Sequence, residues 1–372
     1  MSFVPDNLAV ALLPWFEAHG RRDLPWQKDP TSYRVWVSEV MLQQTQVETV
    51  KPYFDRFMAR FPDVAELAQA SQDEVMRLWS GLGYYARARN LHRAAVEILE
   101  LHRGRLPETF AELIALPGIG RSTAGAILAL ARGERHAILD GNVKRVLTRF
   151  FLVEEPPESA AGLKKLWALA EAYTPQSRVA EYTQAIMDLG ATVCMRSNPA
   201  CDRCPLASAC RAFAAGRTKE LPAARRRVPR RLRHTHMIFV LAGGRVLLER
   251  RPSRGIWGGL WAPPEFAEAK SAEAWVTARF GATAEEPTRL PLVRHTFTHF
   301  DLDIEPWIVA AGGKGGGVGE GDTSWHELAS VPAVGLPAPV ARLLEEIRNG
   351  PNGPVRQARP RSGRPRSVAV SG

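Results

Sequence analysis

Cysteine is scarce in this sequence: four cysteines occur among 372 residues, and all lie between Cys194 and Cys210. So small and local a set excludes a disulfide-stapled scaffold and, in a reducing compartment, favours a metal centre over disulfides. Long apolar runs are also lacking, and the first ten residues show no basic region followed by an apolar core. Neither a membrane span nor a secretory signal is indicated, and we expect a soluble cytoplasmic protein.

Acidic residues are nearly absent from two basic segments. Residues 211–233 contain nine basic residues and one acid, and residues 348–372 contain six arginines and no acid. These segments carry net charges of +8 and +6, whereas the whole chain carries +10, so the remainder is about −4. A polyanionic partner is indicated, but any binding surface on the folded domains must be a local patch. We expect 211–233 to be an exposed linker and 348–372 to be a disordered tail.

Strand-like alternation is lacking from the first 210 residues, where helical periodicity recurs. The pattern predicts an all-α domain with helices at 6–19, 33–57 (broken or kinked near Pro52), 64–70, 72–80, 86–101, 110–116, 122–131, 142–150, 160–173 and 178–189. After the linker the pattern changes. It predicts an α+β domain over 234–347, with strands at 236–242, 246–250, 292–297 and 302–309 and helices at 271–280 and 340–347.

The four cysteines have a compact spacing: Cys194, Cys201, Cys204 and Cys210 are separated by six, two and five residues. Four thiolates on so short a loop can hold either a tetrahedral zinc ion or one [4Fe–4S] cluster. Zinc sites usually combine two close cysteine pairs, and only one pair is close here. The spacing therefore favours the iron–sulfur cluster.

A glycine-bracketed turn precedes a small-residue helix in the stretch LPGIGRSTAGAI, residues 116–127. Two glycines allow the backbone unusual conformations and a close approach by another chain, and the following helix directs N–H groups outward. A phosphate diester fits such a turn. A plain helix-turn-helix corner is the alternative.

The turn, an aspartate twenty residues later and the cysteine spacing together resemble the endonuclease III superfamily of helix–hairpin–helix DNA glycosylases. Further stretches resemble its MutY-type adenine DNA glycosylase family: LPW (24–26), VWVSEVMLQQTQV (35–47), GLGYYARARN (81–90), LPGIGRSTAGAI (116–127) and ILDGNVKRV (138–146). The resemblance extends over about residues 6–345. It implies a helix–hairpin–helix domain with one [4Fe–4S] cluster, and removal of adenine mispaired with 8-oxoguanine or guanine in duplex DNA.

The chemistry supports two catalytic carboxyl groups. Cleavage of an N-glycosidic bond requires one acid to protonate the leaving base and one carboxylate to stabilise the cationic sugar. The resemblance assigns the acid to Glu39, in mid-helix, and the carboxylate to Asp140, which should also cap a helix and keep a low pKa there. Strand-nicking relatives carry a lysine where this chain has Ser122, so we expect little or no lyase activity.

Other positions are assigned by the resemblance. They fall into three groups: an adenine pocket (Trp26, Gln27 and Gln184), side chains that wedge into the duplex (Gln44 and Tyr84), and a hairpin that contacts a phosphate (Gly118, Gly120 and Ser122). The base must leave the stack to react, and a wedge fills the space it leaves.

The second domain resembles the Nudix-like C-terminal domain of the same family. Of the metal-binding Nudix pattern that begins at Gly259, only Glu265 is in register, so metal-dependent hydrolysis is not expected. The turn Phe297-Thr298-His299 resembles the Phe-Ser-His turn with which relatives sense 8-oxoguanine. The alternatives are a glycosylase/lyase acting on oxidised pyrimidines, a Nudix hydrolase tethered to DNA, and a non-enzymatic iron–sulfur DNA-binding module. We expect a monomer that associates with the nucleoid through DNA; no motif identifies a protein partner.

Overall fold

A computed structural model describes residues 7–223, 229–281, 286–297, 299–311, 322–330 and 333–350. By its contacts the chain divides into two compact units. The first consists of Met1–Leu78 and Ala86–Val228, and the second of Trp79–Tyr85 and Pro229–Gly372. No helix in these described stretches is both long and apolar enough to cross a membrane.

Helices account for the regular structure of the described residues up to 223. They are α1 (Asn7–His19), α2 (Ser32–Leu42), α3 (Val47–Arg60), α4 (Val64–Gln69), α5 (Gln72–Trp79), α6 (Ala86–His102), α7 (Phe110–Ala115), α8 (Arg121–Arg132), α9 (Gly141–Phe151), α10 (Ala160–Tyr173), α11 (Val179–Thr192) and α12 (Arg211–Ala214). Short 3₁₀ helices lie at Pro25–Gln27, Cys201–Arg203 and Ala207–Ala209. The predicted all-α class is confirmed, and most predicted bounds agree within three residues.

The predicted helix 33–57 is wrong in one respect. It is two helices, α2 and α3, and the break lies between Leu42 and Val47, whereas Pro52 is inside α3. Gln44 in the break has a φ of 59°, a left-handed conformation that an α-helix does not continue through. The buried guanidinium of Arg87 accounts for the stop, because it donates to three carbonyl oxygens at the end of α2 over 2.6–2.9 Å.

The core of the first unit is built around α11. This helix packs against α1, α8 and α9, and α2 packs against α8. The interior between them is a continuous cluster of buried apolar side chains, among them Leu12, Leu147, Leu166, Ala185 and Leu189. The packing places the middle of α2, the start of α9 and one face of α11 around a common space.

The second unit contains a mixed sheet of eight strands in its described residues. The elements are β1 (Arg231–Ala242), β2 (Arg245–Arg250), β3 (Trp261–Ala262), β4 (Glu265–Phe266), α13 (Ala269–Phe280), β5 (Thr288–Arg289), β6 (Val293–Thr296), β7 (Phe300–Ala310), β8 (Thr323–Glu327) and α14 (Ala338–Asn349). The main path runs β3-β2-β1-β7-β5; β4 pairs with β1, β6 with β7 and β8 with β2. Among the strands in the described residues, only β1 and β7 pair in parallel, with Arg231 opposite Phe300 and Leu241 opposite Ala310. The predicted α+β class is confirmed.

The first two strands form a hairpin around Gly243 and Gly244, whose φ values of 56° and 78° match the turn that joins two twisted strands most readily. The two-residue strands β3, β4 and β5 escaped prediction because such short segments show no period. The five-residue strand β8 was also missed.

The predicted linker 211–233 is structured at both ends. Residues 211–214 form α12, and β1 begins at Arg231. Residues of β7 supply partners at the start of β1: Nη1 of Arg230, the residue before the strand, is 3.7 Å from Asp301 Oδ1, and Arg233 lies over the Phe300 ring at 4.6 Å. Residues 224–228 are outside the described part of the chain. So is the predicted tail from residue 351 onward, whereas Arg348 and Asn349 complete α14.

Candidate active site

One open cavity of about 1230 Å³ in the first unit is bordered by most of the residues predicted to act on DNA. Its walls come from the Pro25–Gln27 turn, α2 and the loop after it, and the starts of α8 and α9 together with α11. The predicted residues among its walls are Trp26, Gln27, Glu39, Gln44, Ser122, Asp140 and Gln184. Tyr84, Gly118 and Gly120 do not border it.

Glu39 projects from the second half of α2 and is partly buried. Burial is the main cause that raises the pKa of its carboxyl to about 8, and the negative charge of Asp140 adds to the shift. Both causes disfavour the ionised form. Glu39 is therefore an acid that keeps its proton at neutral pH.

Asp140 caps the N-terminus of α9. Its Oδ1 accepts from the backbone N–H of Val143 at 2.8 Å, and its Oδ2 accepts from the Asn142 side chain at 3.2 Å. Burial raises the pKa of Asp140 above its ordinary value, so the expectation of a low pKa is wrong. The hydrogen bonds to the carboxylate and the charge of Arg145 oppose that rise.

The two carboxyls differ in what surrounds them. The causes acting on Glu39 all favour its protonated form, whereas Asp140 receives backbone and side-chain hydrogen bonds that favour the carboxylate. Environments that separate two neighbouring carboxyls in this way assign one the role of acid and the other the role of anion.

Trp26 and Gln27 form one end of the cavity. Trp26 is buried, and its ring contacts the Phe54 ring edge to face with the centroids 5.5 Å apart, so Trp26 is also part of the core. The Gln27 amide closes its own turn: Nε2 donates to the Arg21 carbonyl at 2.9 Å, and Oε1 accepts from the Leu24 N–H at 3.2 Å. An amide retains one further N–H and one further lone pair, and these remain for a ligand.

Ser122 stands in the first turn of α8 and is bonded to the segment before Asp140. Its Oγ accepts from the backbone N–H of Leu139 at 3.0 Å. The hydroxyl therefore links α8 to the segment that leads into Asp140. The sequence does not reveal this contact.

The predicted hairpin is formed by α7, the turn 116–120 and α8. Gly118 has a φ of 79°, and a Cβ there would lie 2.7 Å from the Cβ of Asn90. Gly120 has a φ of −91° and open space where a Cβ would be. The expectation that both glycines use unusual backbone conformations holds for Gly118 alone, while Gly120 leaves its backbone open to approach.

The two predicted wedge residues are both strained and exposed. Gln44 and Tyr84 have φ values of 59° and 50°, and the Tyr84 side chain is 48% exposed. Non-glycine residues in the left-handed region are uncommon and tend to occur at functional sites. Gln44 belongs to the loop that Arg87 holds, and Arg87 Nη2 also donates to Thr45 Oγ1 at 3.1 Å.

The four cysteines border a second, much smaller pocket whose other walls are mainly apolar, with Phe150 and Leu189 among them. Arg149, only 2% exposed, reaches the same place: Nη1 donates to Cys194 Sγ at 3.3 Å and to the Met195 carbonyl at 2.7 Å. Burial is the main cause that raises the pKa of Cys204 to about 11, and the neighbouring thiols add to it. Four thiolates held this close need positive charge between them.

Within the described residues, no three histidine, cysteine, aspartate or glutamate side chains are grouped so as to hold a metal ion. The four partly buried cysteines nonetheless border one pocket, and Cys194 has a cationic neighbour, Arg149. Thiolate donors around a shared apolar pocket suit an iron–sulfur cluster.

The predicted lesion-sensing turn lies in the second unit, before β7. Phe297 stacks on Phe300 with ring centroids 4.5 Å apart, and its N–H donates to the Phe300 carbonyl at 2.9 Å. Trp257 and His295 pack against the same ring. Thr298 lies outside the described residues, and His299 is exposed.

The one glutamate that the degenerate Nudix pattern retains forms an ion pair. Glu265, the one glutamate in register, pairs with Arg251, and Ala274, Thr277 and Ala278 occupy the later positions in α13.

Comparison with known proteins identifies both units. Residues 37–171 match the model of the HhH-GPD superfamily base excision DNA repair proteins, and residues 235–346 match the NUDIX domain. An adenine DNA glycosylase of Buchnera aphidicola subsp. Schizaphis graminum is 36% identical over 341 residues, covering 90% of this chain and 96% of the relative. The human adenine DNA glycosylase is 34% identical, covering 82% of this chain and 67% of the relative.

The chain belongs to the adenine DNA glycosylase family.

Solved structures agree on the fold of the helical part. A thermostable thymine-DNA glycosylase superposes with a TM-score of 0.52 and 25% identity, covering 57% of this chain and 97% of that one. An endonuclease III–DNA complex superposes with a TM-score of 0.50 and 18% identity, covering 58% and 99%. The helix–hairpin–helix fold predicted for the first domain is thereby confirmed. The predicted family membership is confirmed by the adenine DNA glycosylase relatives.

Several residues that position the walls of the candidate cavity were missed. The Asn142 side chain donates to the Asp140 carboxylate. The Arg145 guanidinium donates to Asn142 Oδ1 at 2.9 Å and to the carbonyl oxygens of Gly190 at 2.6 Å and Cys194 at 2.7 Å. Asn142 and Arg145 stand in the quoted stretch ILDGNVKRV, where their position beside Asp140 was the available signal. The Arg21–Asp188 pair and Arg87 carried no local signal, because the pair spans 167 residues and the partners of Arg87 lie 42 to 47 residues away.

Proposed function

We propose that this protein is a monofunctional DNA glycosylase that hydrolyses the N-glycosidic bond of adenine opposite 8-oxoguanine or guanine. The observation that supports this most strongly is the pair of carboxyls, Glu39 and Asp140, that border one cavity: burial raises the pKa of both, but only at Asp140 do hydrogen bonds to the carboxylate and a nearby arginine oppose the rise. Membership of the adenine DNA glycosylase family supports the choice of base.

The first chemical step is departure of the base. The protonated Glu39 carboxyl donates its proton to N7 of the extruded adenine, and the electron pair of the C1′–N9 bond passes to the base. The sugar is left as an oxocarbenium ion. The Asp140 carboxylate, held by the first turn of α9, stabilises that positive charge.

The second step is the addition of water. Glu39, now ionised, accepts a proton from the water as its oxygen bonds to C1′. The products are free adenine and an abasic site, and both carboxyls return to their starting states. Nothing in this cycle requires the phosphodiester backbone to be cut.

Serine at position 122 supports the absence of lyase activity, because a hydroxyl cannot form a Schiff base with the sugar. Ser122 Oγ is instead used to bond the Leu139 N–H. The cavity wall does contain one lysine, Lys144. Borohydride trapping on the wild type, Ser122→Lys and Lys144→Met separates the two positions: trapping should be strong for Ser122→Lys, and any residual wild-type trapping should vanish in Lys144→Met.

We propose that the α7–α8 hairpin, the loop that contains Gln44, and Tyr84 hold the duplex. The open backbone at Gly120 and the start of α8 suit a phosphate, and exposed Gln44 and Tyr84 suit insertion into the stack. The arginines of residues 211–233 and 348–372 would add attraction that is independent of sequence and sensitive to salt.

The second unit is proposed to sense the opposite base through Phe297, Thr298 and His299. The exposed His299 and the aromatic support beneath Phe297 favour a contact surface rather than a core strand end. A His299→Ala variant should lower the rate on adenine opposite 8-oxoguanine and leave the rate opposite guanine unchanged. Equal loss on both duplexes would contradict this role.

Cys194, Cys201, Cys204 and Cys210 are proposed to hold one [4Fe–4S] cluster. When bound, the cluster would cross-link the four thiolates and stabilise the loop between α11 and α12. Arg149 would hold the Cys194 end of that loop through its bonds to Sγ and to neighbouring carbonyls.

The direct test of the proposed chemistry is release of free adenine under single-turnover conditions, with duplex binding measured in parallel. Glu39→Gln and Asp140→Asn should each lose about 10²-fold or more in rate while binding the duplex within about tenfold of wild type. Matched controls are the exposed residues Glu100→Gln on α6 and Asp55→Asn on α3, which should leave both quantities unchanged. Full activity of either cavity variant would exclude the proposed roles.

A further inference from the structure

Asp188 is a buried carboxylate that does not border the cavity but controls a side chain that does. Its side chain is 1% exposed and follows Gln184 by one turn of α11. It accepts three bonds from Arg21: the backbone N–H at 2.8 Å, Nε at 2.9 Å and Nη2 at 2.6 Å. A fourth bond comes from Nε2 of Gln184, at 2.9 Å.

These bonds determine how the Gln184 amide is turned. A carboxylate only accepts hydrogen bonds, so the group of Gln184 that faces Asp188 has to be the NH₂. Arg21, which only donates, saturates the rest of the Asp188 carboxylate and keeps it an acceptor. The amide oxygen Oε1 and the second N–H of Nε2 are then the polar groups that Gln184 retains for the cavity, where the residue forms part of the wall.

We propose that the Arg21–Asp188 pair is a specificity-determining positioning pair: it holds Gln184 so that an acceptor, not a donor, meets the 6-position of the extruded purine. This inference rests on the proposed function. An acceptor there pairs with the 6-amino group of adenine and opposes the 6-oxo group of hypoxanthine or guanine. A site built to bond one group leaves a buried polar atom unpaired when the analogue enters.

Replacing Asp188 by asparagine should release the Gln184 amide from its fixed orientation. Oδ1 of Asp188 accepts from the Arg21 guanidinium and from Gln184, and Oδ2 accepts from the Arg21 backbone N–H. An asparagine has one oxygen, so its NH₂ must face at least one of these donors and the four bonds cannot all be kept. The variant should excise adenine at least about tenfold more slowly relative to hypoxanthine than the wild type does.

The experiment measures single-turnover release of adenine and of hypoxanthine, each placed opposite 8-oxoguanine, for the wild type, Asp188→Asn, Gln184→Ala and the double variant. The ratio of the two rates is the readout, because loss of stability alone lowers both rates together. In the Gln184→Ala background the substitution at Asp188 should leave the ratio unchanged, since the reading side chain is gone.

The outcomes are distinct. An unchanged ratio in Asp188→Asn, or an equal change with and without Gln184, would overturn the positioning role. If Asp188→Asn does not fold, the wild type still decides: similar rates on adenine and hypoxanthine would also overturn it. A wild type that releases neither base would instead contradict the proposed function.

Discussion

The raised pKa of Glu39 makes the pH dependence of base excision a demanding test. Burial and the charge of Asp140 bring this pKa to about 8 from an ordinary value of 4.5. At pH 7 a carboxyl with a pKa near 8 is about 90% protonated, whereas one near 4.5 is about 0.3% protonated, a difference of about 300-fold in the active form. The cavity thereby supplies acid catalysis at neutral pH.

The direction of the pH dependence follows from the role of Glu39 as the acid. Because protonated Glu39 and ionised Asp140 are the active forms, the single-turnover rate should fall about tenfold per unit above about pH 8, and it should fall again at low pH as Asp140 becomes protonated. The assay is alkali-revealed cleavage of a labelled duplex carrying adenine opposite 8-oxoguanine, at saturating enzyme, from about pH 6 to 10. A rate that is constant or rising between about pH 7 and 9 would refute the assignment of Glu39 as the acid.

The free energy of unfolding should also depend on the raised pKa of Glu39. Stability should fall as pH rises, whereas a salt-bridged carboxylate with a lowered pKa makes stability rise with pH. Between pH 4.5 and about 8 the unfolded chain releases the Glu39 proton while the native state keeps it, so the native state loses stability as pH rises through this window. The shift of about 3.5 units corresponds to at most about 5 kcal/mol. Glu39→Gln removes this penalty, so its advantage in unfolding free energy over wild type should be small near pH 5 and largest above about pH 8. A pH-independent difference would contradict the buried acid.

Three further predictions concern other parts of the first unit. Arg87→Met should lower the fluorescence of a 2-aminopurine placed at the target position by about tenfold, because the Gln44 loop loses its bonds to the guanidinium; in a Gln44→Ala background it should have no further effect. Cys204→Ser should abolish bound iron and sulfide, measured chemically, and lower the unfolding temperature, whereas retained iron would contradict the cluster assignment. Gly118→Ala should cost about 1–3 kcal/mol in unfolding free energy and more than Gly133→Ala, because both have a positive φ but only Gly118 would also push a Cβ against Asn90.

Periodicity predicted the helices well because most of them have one buried face, and α10 was predicted to the residue. It failed at the α2–α3 break, where the cause is a buried arginine more than forty residues away, not the nearby proline. It also missed the start of β1, where acidic and aromatic residues of β7 supply partners for the arginines.

The candidate site, too, could be predicted only in part from the sequence. Glu39, Asp140 and the cysteines were identifiable from short stretches that resemble a family, and the structure places the two carboxyls around one cavity. The rise in the pKa of Asp140 was not predictable, because helix capping is local and burial is not. The Arg21–Asp188 pair joins residues 167 positions apart, and only the packing of α11 reveals it.

The measurement that tests the central claim most directly is strand cleavage by the purified full chain, with and without alkali, of duplexes carrying adenine opposite 8-oxoguanine, adenine opposite guanine, or an oxidised pyrimidine. We predict cleavage at the adenine strand only, dependent on alkali, fastest opposite 8-oxoguanine and absent in Asp140→Asn. Cleavage without alkali, or at the oxidised pyrimidine, would contradict a monofunctional adenine glycosylase.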